Sequence, residues 1–566
     1  MHMNLTNPEN FLHYHLKPTL ADCTPALRLA LNALRLGETN RLIFPRDEYH
    51  FYADEAEEKF CFVSNNSEGL KRIAFPLTGI RNAIIDGSGS RFIFHGRICP
   101  FHLDACQQVT IRNITIDYER TTFSQGEIIE CTDQSISIRL PPEDSYFFQN
   151  GRIWFDGPNY LQGSYGGPYH RRDAYVHTLE FDAKRREPAF MARDCYRVPA
   201  HSFSETPDGL LKLNIEYPTP KPHVGNILAI THDHRDLFGI CLNNCEKTTL
   251  ESIVIHHAGA MGIIAQRSTD IHLVDCVVEP PPRHNRIVST FADATHFVNC
   301  RGKISIRKCQ FRNMMDDGVN VHGIYSPIKR IISPTEILIE NAHHEQAGIQ
   351  VVDANEEAQV ICNHSLLPKG FLDIKSVTMI NRYHWLVELN KPLPEGTQPG
   401  DCLESLHNTP DVNIEYCQFS SNRARGILAT TPGKIRITNN YFHSAGSAIK
   451  IAGDANSWYE SGSVKDVCIQ NNQFQDCGYG IWGTGIIAID PEIRPENHSN
   501  QAYHENIRIE NNCFFTFHKD LIFARCVQNM VVQHNQIESS QNYPPKQQTF
   551  DYQKLVNCTN VASQFS

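Results

Sequence analysis

Nine short segments of this chain repeat one pattern of alternating apolar residues, a turn-like Asn or Cys, and a further apolar residue. They are VTIRNITID (109–117), TTLESIVIH (248–256), IHLVDCVVE (271–279), ISIRKCQFR (304–312), VNIEYCQFS (412–420), IRITNNYFH (435–443), VCIQNNQFQ (467–475), IRIENNCFF (507–515) and MVVQHNQIE (530–538). Starts at 248 and 271, at 412 and 435, and at 507 and 530 are each 23 residues apart. Between the segments run short glycine- or alanine-led strands such as MGIIAQ (261–266), GVNVHG (318–323) and GILATT (426–431). Period-two alternation specifies strands, and recurrence at about 23 residues specifies a solenoid. A unit of two or three short strands cannot close a core alone, but units stacked ~4.8 Å apart bury one continuous apolar column. The expected fold is all-β, a parallel β-helix. A propeller blade would need a longer repeat, and a leucine-rich repeat would show its own consensus.

In register, one inward turn position reads Ile114, Ile253, Cys276, Cys309, Cys417, Asn440, Asn472, Asn512, Asn535. Small residues fit a tight internal turn, and stacked Asn amides can bond along the axis. The cysteines there read as small buried hydrophobes rather than redox groups. The chain has 19 cysteines but no zinc-type paired spacing, so no metal is expected.

Two stretches interrupt the repeat, 120–237 and 324–411, each with alternating runs such as SISIRL and EILIE. Loops this long need structure of their own, so each is expected to be a small inserted β-subdomain, barrel-like, beside one face of the β-helix. The organisation is then a cap with first coils (1–119), a first insertion, central coils (238–323), a second insertion, and C-terminal coils (412–566).

The net charge of −11 argues against nucleic acid or an anionic membrane as partner. No apolar run approaches the ~18–20 residues of a membrane span. The first residues, MHMNLTNPENFLHYHL, lack the basic and apolar regions of a signal peptide, which points to the cytoplasm or to a leader already removed. A β-helix flank also offers a broad surface for a homo-oligomer.

The candidate site is NMMDDGVNVHG (313–323), where Asp316 and Asp317 stand side by side before a strand. Alone, such a pair reads as a solvated turn, a calcium ligand pair, or acid–base machinery. One repeat earlier lies STFADATH (289–296), whose Asp293 is 23 residues before Asp316, one coil below it on the same face. Calcium loops usually alternate their oxygen ligands, a pattern missing here. Carboxylates this close cannot all ionise normally, so one is expected to hold a proton at neutral pH. A protonated acid beside ionised partners is what glycoside hydrolysis requires.

FADATHFVNCRG (291–302) followed by NMMDDGVNVHG resembles glycoside hydrolase family 110, and EFDAKRREPAF (180–190) adds to the likeness. The resemblance runs from about Asn82 to the C-terminus. It implies a right-handed parallel β-helix with inserted β-barrels, and an exo-acting, inverting α-1,3-galactosidase with a galactose-containing glycan as partner and no cofactor. It also implies Asp316 as general acid, exchangeable with Asp317, with Asp293 and its neighbour activating water. It favours periplasmic or secreted localisation.

An aromatic ring commonly stacks on the C–H face of galactose, and Trp458 (GDANSWYESG) and Trp482 (GYGIWGTG) lie in or beside C-terminal loops. Asn320 and His322 follow the aspartate pair on its strand, Arg423 and Arg425 lie beyond, and His256 and His257 come before. Lys450, in SAIKIAG, either lines the same face or, as the simpler reading, is an exposed lysine. The rival readings are a polygalacturonase-like hydrolase, a polysaccharide lyase, and a non-catalytic β-helix adhesin.

Overall fold

The computed structural model describes residues 22–150, 152–163, 175–193, 195–199, 202–216, 219–232, 235–282 and 285–565. The repeat builds the β-helix expected. A sheet of 19 strands holds the nine-residue segments, and a sheet of 13 holds the short strands between them, counted among the described residues. Coil-to-coil pairing is parallel and follows the repeat: Thr248↔Ile271, Val412↔Ile435 and Ile507↔Met530. Inward residues such as Ile304, Val412, Ile435, Val467 and Ile507 form one continuous core. The helix Thr24–Arg35 closes the first coil, burying Leu27, Leu31 and Leu34.

The turn ladder has a local cause. The residue before each ladder position takes a left-handed φ between 52° and 57°, at Asp275, Lys308, Tyr416, Asn439, Asn471, Asn511 and His534. Asn tolerates that region best among residues with a side chain, which explains the Asn-Asn pairs of the later coils. The next residue then turns its side chain inward along the axis. Asn440 N and Nδ2 donate to Asn472 Oδ1, Asn472 donates likewise to Asn512, and Asn512 to Asn535, at 2.9–3.1 Å. Each Nδ2 also satisfies a backbone carbonyl one coil away. Cys417 continues the ladder by accepting from Cys309 N through its sulfur, a buried thiol as expected. Beside it the rings of Phe311, Phe419, Phe442, Phe474 and Phe514 pack at centroid spacings of 4.7–5.7 Å. Each such pair contributes about 0.5–1.5 kcal/mol beyond its buried area.

Both interruptions are folded β-structure whose entry and exit strands are neighbours. In the first, Phe123–Cys131 pairs with Ile227–Thr231, so the coil resumes where it stopped. Among the described residues this insertion is an eight-stranded antiparallel sheet with a separate three-stranded sheet over Tyr146–Gly163. In the second, Ser326–Ser333 pairs with Cys402–Ser405, closing a six-stranded barrel around Ile328, Ile337, Val360, Val387 and Leu403. An insertion with adjacent ends adds a domain without shifting the register of the coils it separates.

Candidate active site

The three aspartates come together at the edge of the 13-stranded sheet, where chains turn into Thr295–Val298 and Val319–Ile324. Thr295 pairs with Val319, an offset of 24 residues, so Asp293 stands in register with Asp317 rather than with Asp316. The expected one-coil relation of Asp293 to Asp316 is corrected accordingly: this coil is one residue longer than the 23-residue repeat. Asp317 N donates to Asp293 Oδ1 at 3.2 Å. One oxygen of each carboxyl lies within 4.8 Å of the others. Gly318 is required by close approach, since a Cβ there would sit 2.5 Å from the carbonyl oxygen of Gly426 and 2.6 Å from the Phe419 ring.

The three differ in access. Asp293 and Asp317 are 3% and 1% exposed, whereas the Asp316 side chain keeps 15%. Asp316 Oδ2 is 2.7 Å from Arg235 Nη2, and its Oδ1 is 3.3 Å from Arg423 Nη1. Asp317 Oδ1 accepts from Arg425 N at 2.8 Å, and its Oδ2 lies 2.8 Å from Arg425 Nη2, an ion pair without hydrogen-bond alignment. Asp293 Oδ2 meets His296 Nδ1 at 2.7 Å. Burial pushes Asp293 up to about 8, helped by Asp316 and opposed by Arg235 and Arg425. Burial likewise raises Asp317 well above the carboxylate range, against the pull of Arg425. The cluster therefore retains a proton at neutral pH. Burial also lowers Arg423 to about 9, with Arg425 adding to it.

The donor set does not suit calcium. That ion takes ~6–8 oxygen ligands, while here each carboxyl is already engaged by a guanidinium or an imidazole, and the three arginines supply the positive charge.

Side walls come from sequence-distant elements. Arg235 follows the first insertion, and its guanidinium lies over the Trp458 ring, 5.3 Å from the centroid. The turn His343–Gln346 comes from the second insertion. His343 packs on Trp458 with centroids 4.3 Å apart, and Gln346 Nε2 donates to Trp458 O at 2.7 Å. Trp458 itself rides on a loop gathered by Asp454, whose carboxylate accepts from the backbone N–H groups of Asn456, Ser457, Trp458 and Tyr459. Glu460 ends that loop, pairing antiparallel with Ile324, and its Oε1 accepts from Asn320 Nδ2 at 3.4 Å.

The residues expected at the site divide as follows. His322, Trp458, Arg423 and Arg425 are joined to the aspartates directly or through one partner, whereas Asn320 donates to Glu460. Asn320 Oδ1 is buried with no hydrogen-bond partner among the described residues. Trp482 packs against Arg423, 5.2 Å from ring centroid to guanidinium, so its link to Asp316 runs through that arginine. His257 is instead a buried structural group, accepting from Thr122 N at 3.0 Å and facing Ser289 O, and His256 meets Glu279 O. Lys450 is half-buried in the same outward column as Asn320, two coils on, which corrects its reading as an exposed lysine. Arg235, His296, His343, Asp454 and Glu460 were not anticipated. Only His296, inside STFADATH, carried a local signal.

The insertions and coils match known families. The GLAA-B beta-barrel domain I model matches residues 124–228, the GLAA-B beta-barrel domain II model residues 336–403, and the right handed beta helix region model residues 401–544. These define a β-helix protein of the GLAA-B class. Alpha-1,3-galactosidase A of Shewanella woodyi is 34% identical over 535 residues, covering 94% of this chain and 85% of its own length. Alpha-1,3-galactosidase B of Bacteroides thetaiotaomicron is 32% identical over 561 residues, covering 97% and 89%. The chain belongs to the α-1,3-galactosidase family, glycoside hydrolase family 110. Among solved structures, the mannuronan C-5 epimerase AlgE6 A-module of Azotobacter vinelandii aligns over 98% of this chain and 99% of its own, at 10% identity and a TM-score of 0.39.

Proposed function

We propose that this protein is an exo-acting glycoside hydrolase that releases terminal α-1,3-linked galactose with inversion at the anomeric carbon. The observation that carries this reading is the unequal exposure of the three aspartates in a family whose relatives bear the name alpha-1,3-galactosidase. Asp316 is the member that reaches solvent, so it is assigned as the acid that protonates the glycosidic oxygen. Asp293 and Asp317 are assigned to position and activate the attacking water.

Spacing alone would point elsewhere. Inverting enzymes usually hold their carboxyls ~6.5–9.5 Å apart and retaining ones ~5–5.5 Å, and nearest oxygens here lie within 4.8 Å. Burial supports inversion all the same: a covalent intermediate needs a second carboxylate in contact with C1, and Asp293 and Asp317 are 3% and 1% exposed, which suits them to act through a water instead.

Exo action is supported by the walls. Arg235 beside the first insertion, His343–Gln346 from the second, and the loop 453–462 meet around Asp316, the layout of a closed-ended pocket rather than a through-running cleft. Asn320 Oδ1, without a partner among the described residues, offers an acceptor for a hydroxyl, while Trp458 is packed by His343 and Arg235 and holds the wall. The test is galactose release from an α-1,3-galactobioside beside its α-1,6 isomer, with Asp316→Asn alongside. The expected result is cleavage of the α-1,3 bond alone, reduced by several orders of magnitude in the variant. Binding without cleavage by the wild type would overturn the reading in favour of an adhesin.

A further inference from the structure

A line of buried side chains leads away from Asp293. His296 Nδ1 lies 2.7 Å from Asp293 Oδ2, His296 Nε2 lies 2.9 Å from His322 Nε2, and His322 Nδ1 lies 2.6 Å from the carbonyl oxygen of Gly323. Glu460 Oε1 stands 3.5 Å from His322 Nε2, and its side chain is 13% exposed at the end of the Trp458 loop. Both histidines are buried.

Donor and acceptor chemistry fixes where hydrogens can sit. A backbone carbonyl only accepts, so His322 Nδ1 carries a hydrogen. If His322 is neutral, its Nε2 is bare and accepts from His296 Nε2–H. His296 Nδ1 is then bare as well, and its contact with Asp293 requires that Asp293 Oδ2 be the donor. In this arrangement Asp293 is a neutral acid. A second arrangement has the same number of protons: Asp293 ionised, His296 carrying hydrogen on Nδ1, and His322 doubly protonated beside Glu460. Removing a proton from the line would leave two bare Nε2 atoms facing each other at 2.9 Å, with repelling lone pairs. At neutral pH the line thus keeps its proton and can only relocate it.

We propose that Asp293, His296 and His322 form a proton wire that moves the proton held by Asp293 onto His322, beside Glu460, and so converts Asp293 into the base for the attacking water. The proposal rests on the reading of Asp293 as a water-activating group. In the shift, Asp293 Oδ2–H breaks as His296 Nδ1–H forms, and His296 Nε2–H breaks as His322 Nε2–H forms. Charge separates into Asp293 carboxylate and His322 imidazolium, and no co-reactant enters. His296, His322 and Glu460 are positioning residues that act through Asp293.

The surrounding charges suit such a switch. Asp293 faces Arg235 and Arg425, which favour its ionised form, and Asp316 and Asp317, which oppose it. His296 faces Arg235, Asp316, Glu460 and His322, and burial keeps its own basicity far below the usual histidine range, as a relay that never holds charge should behave. Glu460 stays below the usual carboxylate range despite its burial, drawn down by His322, His296 and Arg425; Lys450 lies on its far side. Glu460 is therefore an ionised partner fixed where the imidazolium forms.

The test uses Glu460→Gln, a change of charge with little change of shape, and His322→Gln, with two readouts. In ¹⁵N-histidine NMR of the substrate-free protein, with His322 assigned by its loss in His322→Gln, the wild-type Nε2 signal lies between the bare and protonated limits as the two arrangements exchange, and it moves to the bare limit when Glu460 becomes Gln. In kinetics on the galactobioside, Glu460→Gln lowers kcat about tenfold or more at pH 7 with KM changed by less than about twofold, and kcat recovers as pH rises and Asp293 ionises unaided; tenfold in kcat corresponds to about one pH unit of displacement. An unchanged His322 Nε2 signal in Glu460→Gln, or pH profiles that superimpose, would overturn the wire. The NMR readout needs no turnover, so a wild type whose Nε2 signal responds to Glu460→Gln but which cleaves no galactoside would count against the proposed function and not against the wire.

Discussion

Asp454→Ala should disable the site while leaving the β-helix standing. Asp454 is buried and gathers the loop 453–462, its Oδ1 accepting from Asn456 N at 2.6 Å and Ser457 N at 3.0 Å, its Oδ2 from Trp458 N and from Tyr459 N at 3.3 Å. Four donors share two oxygens, and all four can turn to water once the loop opens. At a net ~0.5–1 kcal/mol for each such bond, closure of the loop loses about 2–4 kcal/mol. A factor of ten corresponds to about 1.4 kcal/mol, so kcat/KM on an α-1,3-galactobioside should fall by about 30- to 700-fold. Other contacts also hold the loop, among them Gln346 to Trp458 O, His343 on the Trp458 ring and the pairing of Gly323–Ile324 with Glu460–Ser461, which favours the lower part of that range. Asp454→Asn keeps one carbonyl acceptor and should lose less. Galactose release over a range of substrate concentrations, beside thermal melts of both variants, makes the measurement. A kcat/KM for Asp454→Ala within threefold of wild type would refute the view that this loop, through Trp458 and Glu460, builds the site.

Other outcomes follow from the same contacts. Asn472→Ala removes the acceptor of Asn440 N and Nδ2 and the donors to Ile437 O and Asn512 Oδ1; with buried polar groups left unpaired at ~1–3 kcal/mol each, denaturant unfolding should show about 3–5 kcal/mol lost, and a loss under 1 would contradict the ladder's structural role. Asp293→Asn should stabilise the fold while abolishing turnover. Burial raises Asp293 to about 8 in the fold, so between the unfolded value near ~4 and that value the native state holds a proton the unfolded chain has released. Wild-type stability falls as pH rises through that window, and the variant's advantage in melting temperature should appear at pH 7.5 and vanish by pH 4; an advantage independent of pH would contradict it. Gly318→Ala drives a Cβ into Gly426 O and the Phe419 ring, costing about 1–3 kcal/mol by overpacking and displacing Asp317, to be read as a lower melting temperature together with lost activity.

The coils and their ladder were legible because a solenoid repeats its physics locally: one alternation for the strands, one left-handed residue, one inward side chain. Asp293, Asp316 and Asp317 were legible for the same reason, being pinned to that repeat. The error of one residue in pairing Asp293 shows the limit. Coil length varies at turns, and hydrogen-bond register, not the mean repeat, decides which carboxylates stack. What could not be read is what the insertions return to the site. Arg235 leaves the first insertion and Glu460 closes a loop more than 200 residues later, and nothing in either segment signals that the one reaches Asp316 and the other His322. Trp482 was placed in the right neighbourhood from loop position alone, but its ring serves Arg423.

The most direct measurement is the anomer first formed. Proton NMR of fresh α-1,3-galactobioside digests, recorded before mutarotation, should show β-galactose appearing ahead of the α form, with neither released by Asp316→Asn. Early α-galactose would mean retention, and the assignment of buried Asp293 and Asp317 to water rather than to the sugar would be wrong.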